Sequence, residues 1–332
     1  MPELRLNFVT REWVIVTASK RPDDFIGVKK KKKPGFLKTC PFCPGNESKT
    51  PDEIYTVRDE KGWRIRVVPN KFAVISEEGE RTRAHSGLKK CVSGVGIHEV
   101  IIETPIHNLT TATLPVGPLK EVIQTYRYRF LEIYKDPRVE HVIIFKNNGP
   151  ASGTSIEHSH SQIVGLSIIP LQIRNRFEEY MRFFDDTGDC LMCKTISEEL
   201  NEGARILFNT DHFVSFVPFA ALSPFHIWIF PKRHSGSFAD ITSEEVWDLA
   251  KNLKSTMARL YHGLEHPDFN YVIRSGKIGD ADSEFIHWYL SIVPRVAMAS
   301  GFELGSGVYI NPLIPEIGAE FLRSVKIPEY YI

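Results

Sequence analysis

The chain is written twice, and that duplication limits its fold more than any other feature. In the first half Cys40-Pro41-Phe42-Cys43 is followed by Asn70-Lys71-Phe72-Ala73-Val74, then by an alternating stretch from His98 to Ile102 that ends near His107. In the second half Cys190-Leu191-Met192-Cys193 is followed by Asp211-His212-Phe213-Val214, then by His226 to Phe230, ending at His234. A helical stripe comes next in each half: Leu119, Val122, Ile123, Tyr126, Phe130 and Ile133, against Val246, Leu249, Ala250, Leu253, Met257 and Leu260. These recur at the 3.6-residue helical period. Thr242 with Glu245 three places on forms a capping box that marks the start of the second helix. Short strands then fall at His141 to Phe145 and Asn270 to Ile273, and last strands around His158 to Ile163 and His287 to Val293. His107 and His234 are 127 positions apart, and His158 and His287 are 129.

A near-constant offset across several kinds of element is the mark of an internal duplication. The repeat reads as α+β, mostly antiparallel strands with one long helix packed on a face. The expected division is 1–175 for the first repeat and 176–332 for the second. Neither half alone covers its sheet, so the two are expected to pack as a pseudo-dimer within one chain.

Composition excludes more than it assigns. The 332 residues are 42% apolar and 25% charged, and Lys+Arg and Asp+Glu both count 41. No global field points to nucleic acid or to a membrane surface. The run Lys29 to Lys33, between Gly27 and Pro34-Gly35, reads as a solvated loop. Nothing approaches the roughly 20 apolar residues of a membrane span, and Met1 to Val9 lacks a signal-like apolar region, so the expected location is the cytoplasm. In a reducing compartment, four of the five cysteines arranged as two Cys-x-x-Cys pairs suit metal or redox chemistry better than structural disulfides. Cys91, beside Lys89-Lys90, reads as an ordinary residue.

Each Cys-x-x-Cys pair is followed by two histidines at corresponding places. Cys40, Cys43, His107 and His158 form one set, and Cys190, Cys193, His234 and His287 the other. Two thiolates and two imidazoles suit tetrahedral zinc, and a four-ligand site with no open position is structural. Taken singly, any of these histidines is more readily a packed residue than a ligand; repetition at equivalent places favours two zinc sites.

The halves diverge at their last strands. The first reads His158-Ser159-His160-Ser161-Gln162, the second His287-Trp288-Tyr289-Leu290-Ser291. With His158 and His287 spent on metal, His160 is left over on the same strand face. A neutral imidazole attacks phosphorus well near pH 7, and the phosphoramidate it forms can pass its group onward. Gln162 can donate to phosphoryl oxygens. The small-residue turn Asn147 to Ser155 can bring backbone N–H groups and the Ser155 hydroxyl to a phosphate. The alternative for His160 is a satisfied structural histidine or a fifth neighbour of the metal site.

These motifs together resemble the histidine-triad superfamily, and within it the galactose-1-phosphate uridylyltransferase family and its relative, the plant-type ADP-glucose phosphorylases. The resemblance runs from Leu4-Arg5-Leu6-Asn7 to Tyr309-Ile310-Asn311-Pro312. It implies a histidine-triad-like fold in each repeat, with His160 as the nucleotidylated residue and Gln162 and Ser155 on the phosphoryl oxygens. It further implies Asn70 and Phe72 at the nucleoside, Asn147 near it, and Arg21 near the phosphates. The segment from Glu303 to Asn311 would reach the sugar of a second subunit, implying a homodimer. Uridylyltransferases of the family usually read His-Pro-His-Gly-Gln, whereas Ser159 and Ser161 stand in the proline and glycine places here, as on the ADP-glucose phosphorylase side.

The leading expectation is a ping-pong nucleotidyltransferase moving UMP between UDP-glucose and galactose 1-phosphate. The second is a phosphorylase handing AMP from ADP-glucose to phosphate. A nucleotide hydrolase is less favoured, because such enzymes carry a third histidine where Gln162 stands. A silent nucleotide-binding protein is opposed by the intact His160 and Gln162. Redox chemistry is opposed by the histidines that accompany each cysteine pair.

Overall fold

The structure, a computed structural model, describes residues 1–28 and 34–328; the run Lys29 to Lys33 lies outside them. In the first half, β1 (Glu3–Leu6) and β2 (Trp13–Val16) form a hairpin, and β3 (Tyr55–Asp59) and β4 (Gly62–Pro69) a second. A small ribbon of β5 (Arg83–Ser86) and β6 (Lys89–Val92) precedes β7 (Gly96–Ile102), helix α1 (Val116–Ile133), β8 (His141–Asn148) and β9 (His160–Leu166). Helices α2 (Leu171–Thr187) and α3 (Leu191–Glu202) lead into the second half. There the order is β10 (Ile206–Asn209), β11 (Phe213–Phe216), β12 (Ile227–Pro231), α4 (Ser243–Gly263), β13 (Phe269–Arg274) and β14 (Tyr289–Pro294). The chain closes with α5 (Gly301–Ser306), β15 (Tyr309–Asn311) and α6 (Pro315–Ser324).

Ten strands form one sheet in the order β10-β11-β12-β14-β13-β8-β9-β7-β4-β3. The order is its own mirror image about the β13–β8 seam, so β3, β4, β7, β9 and β8 correspond to β10, β11, β12, β14 and β13. At the seam the strands run antiparallel, pairing Phe269 with Asn148 through Ile273 with Ile144. The expected pseudo-dimer is therefore one continuous sheet.

Alternation divides its two faces. Val142, Ile144, Ile163, Ile229, Tyr271 and Leu290 point into a single core shared with the apolar stripes of α1 and α4. The α4 capping box forms as expected: Thr242 Oγ1 accepts the Glu245 N–H and the Glu245 carboxylate accepts the Thr242 N–H. On the opposite face each half has its own cover. The turn bearing Cys40 and Cys43 packs with Phe42, Trp63, Val100 and Ile102, and α2 and α3 pack over Val214, Phe216, Trp228, Phe230 and Tyr289.

Candidate functional site

The sequence placed strand residues at His158 and His287, but the strands open two residues later, at His160 and Tyr289. That delay frees both histidines to turn toward the cysteines. Cys43 Sγ lies 3.5 Å from His107 Nδ1 and 3.6 Å from His158 Nδ1, and Cys40 Sγ lies 3.7 Å from His158 Nδ1. Cys193 Sγ lies 3.3 Å from His234 Nδ1 and 3.5 Å from His287 Nδ1. Ligands about 2.3 Å (sulfur) and about 2.0 Å (nitrogen) from one tetrahedral ion stand roughly 3.5 Å apart, so the donor sets fit zinc. In both groups the ligand atoms all lie within 4.8 Å of one another. Three of the four outer ring nitrogens are fixed as metal-bound histidines require. His158 Nε2 donates to the Thr104 carbonyl (2.6 Å), His287 Nε2 to Pro231 (3.0 Å) and His234 Nε2 to Ser283 (2.8 Å), leaving each Nδ1 lone pair facing the sulfurs.

His160 is 7% exposed, and its Nδ1 is 2.8 Å from the His158 carbonyl. A carbonyl only accepts, so Nδ1 carries the proton and Nε2 of the neutral ring carries a lone pair. Burial lowers the imidazole's pKa, with nearby Lys146 adding to the effect, which keeps the ring neutral. The edge of Phe42 packs against it, centroids 5.2 Å apart.

Gln162 is oriented by two donors. Val74 N–H donates to His98 Nδ1, so His98 Nε2 bears the proton and donates to Gln162 Oε1 at 2.9 Å. Asn70 Nδ2 also donates to Gln162 Oε1 (3.2 Å), its own Oδ1 being held by the Phe72 N–H. With Oε1 doubly occupied, the Gln162 amide N–H₂ is left to donate outward. The sequence reading missed His98 as a functional residue; its position two places before Val100, the cross-strand partner of Gln162, was the available signal.

The other expected residues divide. Asn147 lies at the seam and accepts from Asn270 Nδ2 at 2.7 Å. Ser155 is exposed in the turn before β9, and Phe72 holds its ring in solvent at 82% exposure. Arg21 is exposed at the head of a short 3-10 turn. Glu303 accepts the Ser300 N–H and hydroxyl as a cap of α5, and Asn311 is buried with its amide bonded to Ala221 O and Leu313 N–H. Within one chain the structure therefore brings Asn70 and Gln162 together, whereas Glu303 and Asn311 are engaged elsewhere. The turn from Asn147 to Ser155 is pinned to the second half: Ala151 N–H donates to Asp268, and a Cβ at Gly149 (φ 86°) would stand 2.0 Å from that carboxylate.

Beneath β9 lies a polar cluster that the sequence did not announce. Glu103, fully buried, accepts from Lys146, Ser161, Ser159 (2.7 Å) and Tyr126 (2.7 Å), and Tyr271 bonds Tyr126 at 2.6 Å. Burial pushes the Glu103 carboxyl up, but Lys146 and the hydroxyl donors outweigh it, and the net direction is down. Ser159 and Ser161 thus point away from the His160 face, into the molecule. They anchor the strand rather than touch a substrate from it.

Comparison with known proteins agrees along the whole chain. Residues 1–170 match the family described as galactose-1-phosphate uridyl transferase, N-terminal domain, and residues 175–293 match its C-terminal domain. An ADP-glucose phosphorylase of Arabidopsis thaliana is 34% identical over 98% of this chain and 93% of its own. A galactose-1-phosphate uridylyltransferase of Thermotoga maritima is 27% identical over 98% of this chain and 99% of its own. The crystal structure of the Arabidopsis ADP-glucose phosphorylase with bound ADP-glucose superposes with a TM-score of 0.84 at 31% identity, covering 99% of this chain and 100% of that one. Among the described residues no helix is long and apolar enough to cross a membrane.

Proposed function

The chain belongs to the galactose-1-phosphate uridyl transferase family of nucleotidyltransferases, and from that membership we propose that it transfers a nucleoside monophosphate through a covalent intermediate on His160. The observation that carries the reading is the His160 ring itself: Nδ1–H committed to the His158 carbonyl, Nε2 unprotonated, on a strand fixed from below.

In the first step Nε2 attacks the α-phosphorus of a nucleotide sugar. The bond from that phosphorus to the bridging oxygen breaks, and the sugar 1-phosphate leaves. The positive charge left on the nucleotidylated ring is shared with Nδ1–H, which the His158 carbonyl already accepts. The Gln162 amide donates to the non-bridging oxygens, where charge accumulates in the transition state. In the second step an oxygen of the acceptor phosphate attacks the same phosphorus, and the P–N bond returns its electron pair to Nε2. Zinc is the metal that suits both Cys₂His₂ sets; in the first, Cys40, Cys43, His107 and His158 would hold it, and His158 so fixed would present its carbonyl to the His160 Nδ1–H.

The sequence reading placed UDP-glucose and galactose 1-phosphate first. The 34% identity with an ADP-glucose phosphorylase, and the resemblance of His158-Ser159-His160-Ser161-Gln162 to that side of the family, favour ADP-glucose as donor and inorganic phosphate as acceptor. The test is to incubate the metal-loaded protein with α-32P-labelled ADP-glucose or UDP-glucose without acceptor. Acid-labile label from ADP-glucose, discharged by phosphate and absent in His160→Gly, is expected. Label from UDP-glucose alone would overturn the choice of base, and label from neither would overturn the covalent intermediate.

A further inference from the structure

The mirror order of the sheet gives the His160 site a counterpart in the second half. By strand register, His160 corresponds to Tyr289, Gln162 to Ser291, His98 to His226 and Asn147 to Arg274. The counterpart is a narrow cleft between β8, β13, β14 and helix α2. It lacks a nucleophile but holds two guanidinium groups, Arg274 from β13 and Arg176 from α2, with Tyr180, Tyr289 and His141 around them.

These arginines are unusual for a half-buried pair. Among the described residues neither is in an ion pair, and Arg176 Nη1 and Arg274 Nε are buried without a hydrogen-bond partner. The Glu12 carboxylate reaches both through its field and bonds neither; burial lowers the Arg176 pKa, but neighbouring Tyr289, Tyr180 and Glu12 outweigh it and the net direction is up. Burial and the neighbouring Arg176 push the Arg274 guanidinium below its ordinary pKa. Two partly desolvated cations facing one cleft, with unused N–H groups, are costly unless an anion completes them. Guanidinium forks beside tyrosine hydroxyls are the groups that hold a phosphate directly.

We propose that this cleft is a second, non-catalytic site for a compact phosphate group, gripped by Arg176 and Arg274. With Tyr289 where the first half has its histidine, the occupant binds reversibly and no bond is made. The proposal is independent of the nucleotide assigned to His160.

The experiment uses the metal-loaded His160→Gly protein, titrated separately with inorganic phosphate and with glucose 1-phosphate while its melting temperature and heat of binding are read. Arg176→Met and Arg274→Met are then made in the same background. The titrant that occupies the cleft is the one whose binding weakens at least tenfold in both variants. In phosphate-free buffer Arg274→Met is expected to melt no lower than the parent, because it removes a cation that burial and the neighbouring Arg176 disfavour. Unchanged binding of both titrants in both variants would overturn the proposal. So would an equal loss of melting temperature with and without phosphate, which would mark the arginines as structural. Should a methionine variant fail to fold, Arg274→Lys keeps the charge but loses the fork; unchanged phosphate affinity in that protein would likewise overturn the site.

Discussion

Beneath β9 the chain buries Glu103, Lys146, Ser159 and Ser161; at the corresponding places beneath β14 it buries Pro231, Ile273, Trp288 and Leu290. The two backbones match, yet one underside is an ion pair with hydroxyls and the other is hydrocarbon. A buried ion pair is often no more stabilising than well-packed apolar residues of similar volume. The polar version therefore has its value in geometry. Directional bonds to Ser159 and Ser161 fix the twist and height of the strand from which His160 projects, whereas the strand that carries Tyr289 is seated by apolar packing. The half with His160 gives up packing for aim, and the half with Tyr289 keeps its packing.

The sharpest way to break this comparison is to remove one metal ligand from each half. Cys43→Ser and Cys190→Ser should each lose their metal and roughly 4 kcal/mol or more of stability. Only Cys43→Ser should also slow nucleotidylation of the still-folded protein, because His158 shares that site and its carbonyl holds the His160 ring. Metal analysis, denaturant unfolding and the labelling rate below the melting transition provide the check; equal slowing in both variants would defeat the division of labour.

Next in size is Glu103→Gln, which strands Lys146 in the interior at a cost of roughly 3 kcal/mol or more. Adding Lys146→Met should recover stability without recovering the labelling rate. If both return together, the network is a stability device and not a positioning one.

Per unit of pH, the smallest effect is on acid stability. Burial, reinforced by Arg274, pushes His141 down to about 4, and burial with Arg274 and Arg176 pushes His226 down to about 3. Each lies below its unfolded value of about 6.5, so the unfolded chain takes up protons that the native chain refuses. Stability should fall as pH drops below about 6.5, by about 1.4 kcal/mol per unit for each histidine, until about pH 4 for His141 and about pH 3 for His226. His141→Phe should make that slope shallower; an unaltered slope would show that His141 is charged in the folded protein.

What the sequence revealed follows from what periodicity and spacing encode. The paired helices, the seam strands and the metal-site histidines recur at offsets of 127 to 129 positions and the cysteine pairs at 150, and His160 is conspicuous as the last-strand imidazole without a twin. Helices α2 and α3 went unread because the first half has no counterpart to them. The Glu103–Lys146 pair was illegible because the two residues meet only through the register of three strands. Ser159 and Ser161 were noticed as a departure but read toward substrate, since a strand's alternation does not say which face is buried.

The β13–β8 seam also has a consequence in time. On a ribosome, β8 is made 126 residues before the end of β13, at Arg274. At about 5–20 residues per second, its outer edge waits roughly 6–25 seconds for its partner. For that interval the half that carries His160 presents an open strand to the cell. Its yield should therefore depend on chaperone capacity and on codon speed between Asn148 and Phe269, quantities that no property of the finished molecule would betray.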